Sequence, residues 1–418
     1  MNRLDLVRQF VPILILVWMI PTPALHAQWV VGPEEELATI QDALNRAAPG
    51  DTIRITKGVY KESDLVLSNP VVLTGDEGAI IDGTGTGTIL VVRANGVTIE
   101  GLTLRNTGFS HMHDYAAILV DQMENVRIRN NRLEEVYFGI YLAETHGGQI
   151  EKNVIFSKGR SETGSGNGIH LWNADRPVVT GNRVTGQRDG IYLEFVNGAE
   201  IRENHSEDNR RYGLHFMFSD DSRYLDNEFR NNGAGVAVMY SSRVEMRGNQ
   251  FLENWGGSSY GLLLKDMTES RIEHNRFIRN TTAIFSEGSS KMEVIRNRFE
   301  QNGYAIKIRS NSRDNLFSDN LFIENTFDVG TDSRRNPNTF EGNYWSHYEG
   351  YDLDRDGIGD VPYRPVRLFS MMIERYPQSM ILLRSMMVRM LDMAEQVFPV
   401  LTPATLVDDS PKMERWND

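Results

Sequence analysis

Residues 227–251, NEFRNNGAGVAVMYSSRVEMRGNQF, contain one complete unit of a repeat, and this repeat decides the fold. Asn227 recurs as Asn249 and Phe229 recurs as Phe251, 22 residues later in each case. A second column, mostly glycine, lies 14 or 15 residues before each asparagine. The asparagine keeps the frame apolar-x-x-Asn-x-apolar at Asn131, Asn153, Asn182, Asn204, Asn227, Asn249, Asn275, Asn297, Asn320 and Asn343.

The length of this repeat favours one coil of a right-handed parallel β-helix. Its short β-branched and aromatic runs are broken by Gly, Asn and Asp, whereas a helical repeat needs longer stretches with a period of 3.6. The Leu-rich frame of a leucine-rich repeat is absent from the sequence. We expect the asparagines to form an amide ladder. An inward aromatic column should accompany it, formed by Phe229, Phe251, Phe277, Phe299 and Phe322.

The repeat also predicts how the chain is organised. Residues 40–47 read as a short amphipathic helix that closes the first coils, because terminal repeats need a cover. The predicted segments are a signal peptide (1–27), an N-terminal cap with the first coils (28–96), the β-helix repeats (97–345), an Asp-rich loop (346–366) and a Met-rich helical tail (367–418).

The N-terminus has the pattern of an export signal. Arg3 and Arg8 precede an apolar stretch over residues 11–20, and a small residue, Ala27, ends the segment. The stretch is short for a membrane span, although a retained anchor is the alternative. We therefore expect the protein to work outside the cytoplasm.

Composition excludes several functional classes. The chain has no Cys, which rules out disulfides, thiolate catalysis and Cys-based metal sites. Its 44 Lys and Arg against 57 Asp and Glu give a net charge of −13, and no basic block stands out, so we expect no nucleic-acid partner.

Residues one and three places after the glycine column are apolar and should face the core. Because side chains alternate along a strand, the residues two and four places after it should point outward. The predicted outward stripe is aromatic and rich in soft ligands, and includes His170, Trp172, Tyr192, His215, Met217 and Met239. Imidazole and thioether ligands without thiolate suit Cu(I), which makes His170, His215, Met217 and Met239 candidate copper ligands. The alternative is a patch covered by a loop or by a partner protein, with Trp172 and Tyr192 as partner contacts.

Three insertions lengthen coils at one corner, between the asparagine column and the next glycine. They span residues 105–115, 157–167 and 254–260, and insertions on one side of a repeat array often mark its binding face. The first carries His111, Met112 and His113, which we consider further copper ligands roofing the stripe. A solvated loop is the alternative.

The Asp-rich loop resembles the first half of a calcium loop. Asp352, Asp354, Asp356 and Asp360 occupy positions 1, 3, 5 and 9, and Gly357 occupies position 6. Position 12 is Tyr363, so the bidentate Glu of an EF-hand is missing. Calcium binding and a connector rich in Asx turns both remain open.

The tail suits docking as an amphipathic helix. Its apolar stretch over residues 381–391 is too short and too Arg-rich to span a bilayer. A cap on the last coil is the alternative, compatible with docking. The candidate partner contacts in the tail are Met380, Met386, Met387 and Met390.

Two functional classes remain. A polysaccharide-active β-helix enzyme, a lyase or epimerase, would need acid, base and cationic groups on one sheet. The candidates Glu194, Lys265, Glu287, Lys307 and Arg309 are spread over several coils. We therefore favour a non-catalytic periplasmic platform for a metal or a partner protein.

Together with the repeat, the block at residues 342–365, GNYWSHYEGYDLDRDGIGDVPYRP, resembles the NosD family. Members are periplasmic β-helix proteins of the nitrous-oxide-reductase maturation system. The resemblance covers essentially the whole mature chain. It implies partnership with an ABC transporter permease and ATPase, a copper chaperone and nitrous oxide reductase. The implied role is in assembling the copper–sulfide centre of that reductase. It also implies membrane association through the partner.

Overall fold

The computed structural model describes residues 26–158, 161–333, 336–383, 385–397 and 406–416. Apart from its last two residues, the predicted signal peptide lies outside this range. The described chain forms a parallel β-solenoid whose coils pass in turn through three long sheets, which confirms the predicted β-helix class.

Sheet 1 contains the strands Gln28–Val31, Thr52–Ile55, Val72–Gly75, Thr98–Glu100, Arg127–Arg129, Gln149–Glu151, Val178–Thr180, Glu200–Arg202, Arg223–Leu225, Glu245–Arg247, Arg271–Glu273, Glu293–Ile295, Leu316–Ser318 and Thr339–Glu341. Sheet 2 contains Gly58–Tyr60, Ala79–Asp82, Thr103–Arg105, Arg132–Glu134, Val154–Phe156, Arg183–Thr185, His205–Glu207, Glu228–Arg230, Gln250–Leu252, Arg276–Ile278, Arg298–Glu300, Leu321–Ile323 and Tyr344–Trp345. Sheet 3 contains Leu65–Leu67, Leu90–Val92, Ala116–Asp121, Phe138–Ala143, Ile169–Trp172, Asp189–Glu194, Tyr212–Met217, Ala234–Met239, Tyr260–Lys265, Thr282–Glu287, Tyr304–Ile308 and Phe327–Thr331.

The helices lie at the two ends of the solenoid, as predicted. Helix α1 (Ile40–Arg46) buries Ile40 and Ala43 at the N-terminal end, and Thr39 caps it by accepting the Asp42 N–H. Helices α2 (Leu368–Arg375) and α3 (Met386–Val397) form the tail. Short 3₁₀ turns cover Glu162–Gly164 and Pro377–Leu382.

The asparagine column forms the predicted ladder. From Asn153 to Asn343, each Oδ1 accepts the backbone N–H and the Nδ2 of the asparagine one coil earlier, at 2.8–3.1 Å, and Asn131 Oδ1 accepts the Leu102 N–H. Each amide is buried with its hydrogen bonds made, so the ladder stabilises the register between coils.

A second amide ladder, which the sequence analysis missed, lies five residues further along each coil. It runs between sheets 2 and 3 through Gln187, Asn209, Asn232, Asn254, Asn280, Asn302 and Asn325. The regular spacing of these asparagines was the available signal.

The phenylalanine column is buried as predicted. Phe251 and Phe277 stack with ring centroids 4.4 Å apart, and the column ends where Phe322 stacks on Trp345 at 4.0 Å. The core is therefore continuous along the repeats.

The C-terminal segment closes the last coil. The buried carboxylate of Asp408 accepts hydrogen bonds from Asn343 N, Asn343 Nδ2 and Trp345 Nε1, each at 3.0 Å, and ends the asparagine ladder. Lys412 pairs with Asp319 in the coil above. A segment outside the repeat thus serves as a cap.

Candidate functional site

The outward face of sheet 3 carries a ladder of alternating tyrosine and histidine rings, one per coil. Ring centroids are 4.4 Å apart for Tyr141 and His170, 4.8 Å for His170 and Tyr192, and 5.0 Å for Tyr192 and His215. The parallel register places these residues opposite one another in successive coils, as the spacing of the repeat predicted. We call these four residues the ring ladder.

The expectation that this stripe is exposed is wrong for both of its histidines. His170 and His215 are only 9% and 5% exposed, although both point away from the core. Neighbouring rings on the same face cover them: Phe138 and Tyr141 contact His170, and Tyr212 contacts His215. Large residues just before the glycine column therefore build a second, outer layer that the sequence analysis did not anticipate.

Burial keeps His170 neutral. Desolvation lowers its pKa to about 3, and the nearby positive charge of Arg188 adds to that effect. Its Nδ1 lies 3.4 Å from Asn167 Nδ2, while its Nε2 has no hydrogen-bond partner. A neutral imidazole with an unengaged nitrogen is the form that binds a metal ion.

His215 is held by a buried ion pair that the sequence analysis missed. Arg211 donates Nε to Asp189 Oδ1 at 2.8 Å and an Nη2–H to Asp189 Oδ2. His215 Nδ1 lies 3.5 Å from Asp189 Oδ2 and 3.4 Å from Arg211 Nη2, so the tautomer with its proton on Nδ1 donates to the carboxylate. Burial alone would raise the pKa of Asp189, but the hydrogen bonds from Arg211 and His215 hold it below its ordinary value. The sequence signal for this ion pair was Asp189, a charged residue directly before Gly190 of the glycine column.

This contact leaves the other ring nitrogen of His215 available. His215 Nε2 is buried and has no hydrogen-bond partner in the described structure. A carboxylate that accepts the opposite N–H is the usual device for orienting a metal-ligating histidine. Met217 follows two residues later on the same face, and Met239 lies beside Met217 in the next coil. Both thioether side chains are half-buried.

The His111–Met112–His113 loop reaches this face only through a series of rings. His111 contacts Phe109 at 4.9 Å, Phe109 contacts Tyr137 at 5.1 Å, and Tyr137 contacts Phe138, the neighbour of His170. Met112 is 88% exposed, and His113 lies against Tyr115. The loop therefore lies beside the ring ladder, and these contacts do not place its side chains over His215.

Trp172 lies in the same column as Met217, and Tyr192 donates its hydroxyl to Glu194 at 3.1 Å. Desolvation of the half-buried Tyr192 ring raises its pKa, and the Glu194 charge adds to this effect. Glu194, a candidate acid in the enzyme hypothesis, therefore accepts a hydrogen bond from a residue of its own strand.

The tail packs on the far end of this same face. Phe369 and Ile373 of α2 join Tyr304 and Phe327 in a small apolar cluster. Glu374 of α2 pairs with the outward Lys307 and with Arg309. Lys307 and Arg309, two of the three cations in the enzyme hypothesis, are therefore engaged by the tail.

Beyond α2, the tail presents an apolar surface. Met380, Met386, Met387 and Met390 are between 45% and 78% exposed. Helix α2 covers the last coils, as the cap alternative expected, and the following segment carries the exposed methionines, whose contact with a partner stays a prediction.

The Asp-rich loop brings three of its four predicted ligands together. Carboxylate oxygens of Asp352, Asp354 and Asp356 lie within 4.8 Å of one another. Asp352 also accepts backbone N–H groups from residues 355–357, an Asx-type turn, and Asp360 accepts the Leu353 N–H. Repulsion by Asp356 raises the pKa of Asp354. A cation would relieve that repulsion.

Comparison with known proteins decides the family. A family model described as "Periplasmic copper-binding protein (NosD)" matches residues 157–350. A Pseudomonas aeruginosa protein named "Probable ABC transporter binding protein NosD" is 34% identical over 89% of this chain and 90% of its own. A Stutzerimonas stutzeri protein of the same name is 30% identical over 86% of both chains. The chain belongs to the NosD family.

Solved structures similar to this NosD-family chain share its fold. A family 28 exopolygalacturonase of Yersinia enterocolitica covers 76% of this chain and 78% of its own, with a TM-score of 0.61 and 12% identity. The A-module of the mannuronan C-5 epimerase AlgE6 of Azotobacter vinelandii covers 73% of this chain and 88% of its own, with a TM-score of 0.50 and 14% identity. At such identities the likeness shows the β-helix alone. Within the described part of this NosD-family chain, no helix is long and apolar enough to cross a membrane.

Proposed function

We propose that this protein is a non-catalytic periplasmic platform that works with an ABC transporter in assembling the copper–sulfide centre of nitrous oxide reductase. Copper, as cargo, would meet it at His215, Met217 and Met239. The observation that carries this proposal is the buried, unpartnered Nε2 of His215, oriented by Asp189 beside two thioethers. The description of the family as copper-binding adds support.

The chemistry of this donor set fits Cu(I). A neutral imidazole and two thioethers are soft, uncharged ligands, and the site offers no thiolate that would hold the ion irreversibly. The Asp189 carboxylate is neutralised by Arg211, so the local charge does not favour hard divalent ions. Such a site suits transfer of copper better than permanent storage.

His170 lies in the same ladder, and we propose a separate role for it. The Tyr192 ring separates His170 from His215, with centroid distances of 4.8 and 5.0 Å on its two sides. The two imidazoles cannot share one ion while that ring lies between them. We place His170, with the His111–Met112–His113 loop, on the approach to the copper site.

A polysaccharide-active enzyme is the less favoured function. Cleavage or epimerisation of a uronate needs a free cation for the substrate carboxylate and a free acid–base pair. Here Arg211 is engaged by Asp189, Lys307 and Arg309 by Glu374, and Glu194 by Tyr192. Glu194, Lys307 and Arg309 are thus engaged by other side chains, whereas Lys265 and Glu287 lie opposite each other on neighbouring coils.

The tail supports attachment to a membrane permease. Its exposed methionines follow α2, which packs on the same face of sheet 3 as the candidate copper site. Three coil spacings of about 4.8 Å, roughly 14 Å in all, separate the strand of Met239 from that of Tyr304. A permease held by Met380, Met386, Met387 and Met390 would therefore lie beside the copper site. The chain would then associate with the membrane through its partner, and the ATPase, the copper chaperone and the reductase complete the proposed assembly.

A direct measurement of Cu(I) affinity tests the copper site. In a competition assay against bicinchoninate, the variant His215→Ala/Met217→Leu/Met239→Leu should bind Cu(I) at least about 100-fold more weakly, since it loses all three ligands. The matched control, His274→Ala/Met393→Leu, removes an exposed imidazole and a surface thioether and should match the wild type. Cells carrying the triple variant should make reductase that lacks its copper–sulfide centre. Unchanged Cu(I) affinity would refute the assigned ligands, and fully active reductase would refute the role.

The permease contact needs its own experiment. Met386→Gln/Met387→Gln/Met390→Gln changes an exposed surface and should leave the fold intact while abolishing co-purification with the permease. Full co-purification of this variant would contradict tail docking. We also propose that the Asp352–Asp360 turn holds calcium, as tested below.

A further inference from the structure

Arg188 is a half-buried arginine at the edge of sheet 3. Its backbone N–H donates to Gly166 O at 2.9 Å, and its own carbonyl accepts the Arg211 N–H at 2.9 Å. Arg188 and Arg211 therefore occupy the same place in successive coils. Among the described residues, the buried Nε of Arg188 has no hydrogen-bond partner, and no carboxylate forms an ion pair with this guanidinium.

The next coil shows which partner such an arginine takes in this fold. Arg211 binds the carboxylate of Asp189, with Nε 2.8 Å from Oδ1 and Nη2 donating to Oδ2. Asp189 directly follows Arg188, the coil neighbour of Arg211. The corresponding partner of Arg188 is the residue that follows Gly166, which is Asn167. An uncharged amide therefore lies where the repeat geometry places a carboxylate one coil later.

Asn167 is itself incompletely bonded. Its side chain is fully buried, and its Oδ1 has no hydrogen-bond partner among the described residues. Its Nδ2 lies 3.4 Å from His170 Nδ1. The Arg188 guanidinium reaches the same region, because desolvation lowers the pKa of His170 and the positive charge of Arg188 adds to this effect. Buried polar atoms without partners cost free energy, which a ligand that bonds to them would recover.

A carboxylate has the chemistry that these atoms lack. Arginine presents parallel N–H donors that match the two oxygens of a carboxylate, as the pair of Arg211 and Asp189 shows in this chain. A half-turn of the Asn167 amide would point Nδ2 at the anion and Oδ1 at a proton on His170 Nδ1. Both ends of the amide would then have partners.

The surroundings favour a small ligand. Residues 165–167, the end of the second insertion, are buried. An added Cβ at Gly166 would clash with the carbonyl oxygen of Tyr137, so the backbones of two coils approach closely here. Such close packing leaves room for few atoms beside the guanidinium. An ion of the size of formate or acetate suits this place better than a chain of sugar acids.

We propose that Arg188 and Asn167 bind a small carboxylate anion, which takes the place that Asp189 fills for Arg211 one coil later. Its occupant would hold the His170 proton on Nδ1 and leave Nε2 unprotonated. The site involves none of the three proposed copper ligands, so it stands or falls independently of the proposed function.

Acetate is the probe, with sodium chloride at equal ionic strength as the reference. Nitrogen NMR of the histidine-labelled full chain should show the His170 proton moving from Nε2 to Nδ1, with a Kd on the order of 1 mM. Arg188→Gln should lose this response. Asn167→Asp should lose it too, because its own carboxylate then pairs with Arg188. The matched control Arg210→Gln removes an exposed guanidinium of the next coil and should respond as the wild type does.

The variant Asn167→Asp gives a second readout that does not depend on acetate. Its thermal unfolding midpoint should exceed that of the wild type, since a new buried ion pair replaces two unpartnered groups. A midpoint below that of the wild type would overturn the pairing with Arg188.

The NMR titration has three outcomes that would overturn the site. His170 signals that stay unchanged at acetate concentrations far above the expected Kd would do so. A change that chloride also produces, or that Arg188→Gln retains, would indicate an adventitious ion only. Binding of oligogalacturonate without binding of acetate would overturn the small ligand and favour the enzyme hypothesis.

Discussion

The Asp408 carboxylate provides a sharp test of how the solenoid is closed. In Asp408→Ala, the Asn343 N–H and the Trp345 Nε1–H lose their acceptor, and Asn343 Nδ2 loses one of its two. The Gly342 N–H keeps a second acceptor, Ser410 Oγ, at 3.1 Å. Two buried donors are therefore left unsatisfied and a third partly so, each costing roughly 1–3 kcal/mol. We expect the free energy of unfolding of the last coil to fall by about 3 kcal/mol.

Hydrogen–deuterium exchange measures this loss where it occurs. Coils of a solenoid contact mainly their neighbours, so the opening should be local to residues 339–345. About 3 kcal/mol corresponds to roughly 100-fold faster exchange there, with the N-terminal coils unchanged. Asp408→Asn keeps one acceptor oxygen and should give a smaller effect. The neighbouring Asp409 is exposed, so Asp409→Ala serves as the matched control. Exchange in the Ala variant within twofold of wild type would refute the capping role.

Three further predictions concern acid stability, calcium and the tail. The pKa of His170 is about 3 when folded and near 6.5 when unfolded, so the unfolded state takes up a proton first as pH falls. The free energy of unfolding should therefore drop by about 2 kcal/mol between pH 6.5 and 5. Urea titrations at each pH should show a weaker dependence on pH for His170→Phe, and the same dependence in both proteins would contradict the prediction. If the Asp-rich turn holds calcium, EDTA should lower the melting temperature of the wild type but not that of Asp354→Ala. A wild-type melting temperature that EDTA does not change would argue against the site. Deleting residues 368–418 should expose Tyr304 and Phe327 and remove Asp408, giving aggregation in light scattering, whereas a monodisperse product would show that the cap is dispensable.

The repeat made the interior of this fold predictable. Each coil places the same residue type against the coil before and after it, so a fixed spacing reports a fixed environment. Asn227 and Phe229 therefore sufficed to assign the ladder and the core column. The terminal cap was not predictable in this way, because Asp408 lies outside the repeat and contacts a coil more than 60 residues earlier in the chain.

The candidate site was predictable in position but not in environment. Strand alternation placed His215, Met217 and Met239 on one outward face, which the register confirms. Alternation cannot tell whether an outward side chain is covered. Tyr212 and Arg211, just before the glycine column, bury His215 and link it to Asp189, and these contacts depend on side-chain lengths across coils.

The central claim is that copper meets this protein through one imidazole and two thioethers on the outward face of sheet 3. X-ray absorption of the full chain loaded with one equivalent of Cu(I) tests it most directly, because sulfur and nitrogen scatterers differ in amplitude and distance. The account predicts a first shell of one nitrogen and two sulfurs in the wild type, with both sulfurs lost in Met217→Leu/Met239→Leu. A wild-type shell of nitrogen and oxygen only, or a sulfur signal that survives both substitutions, would contradict it.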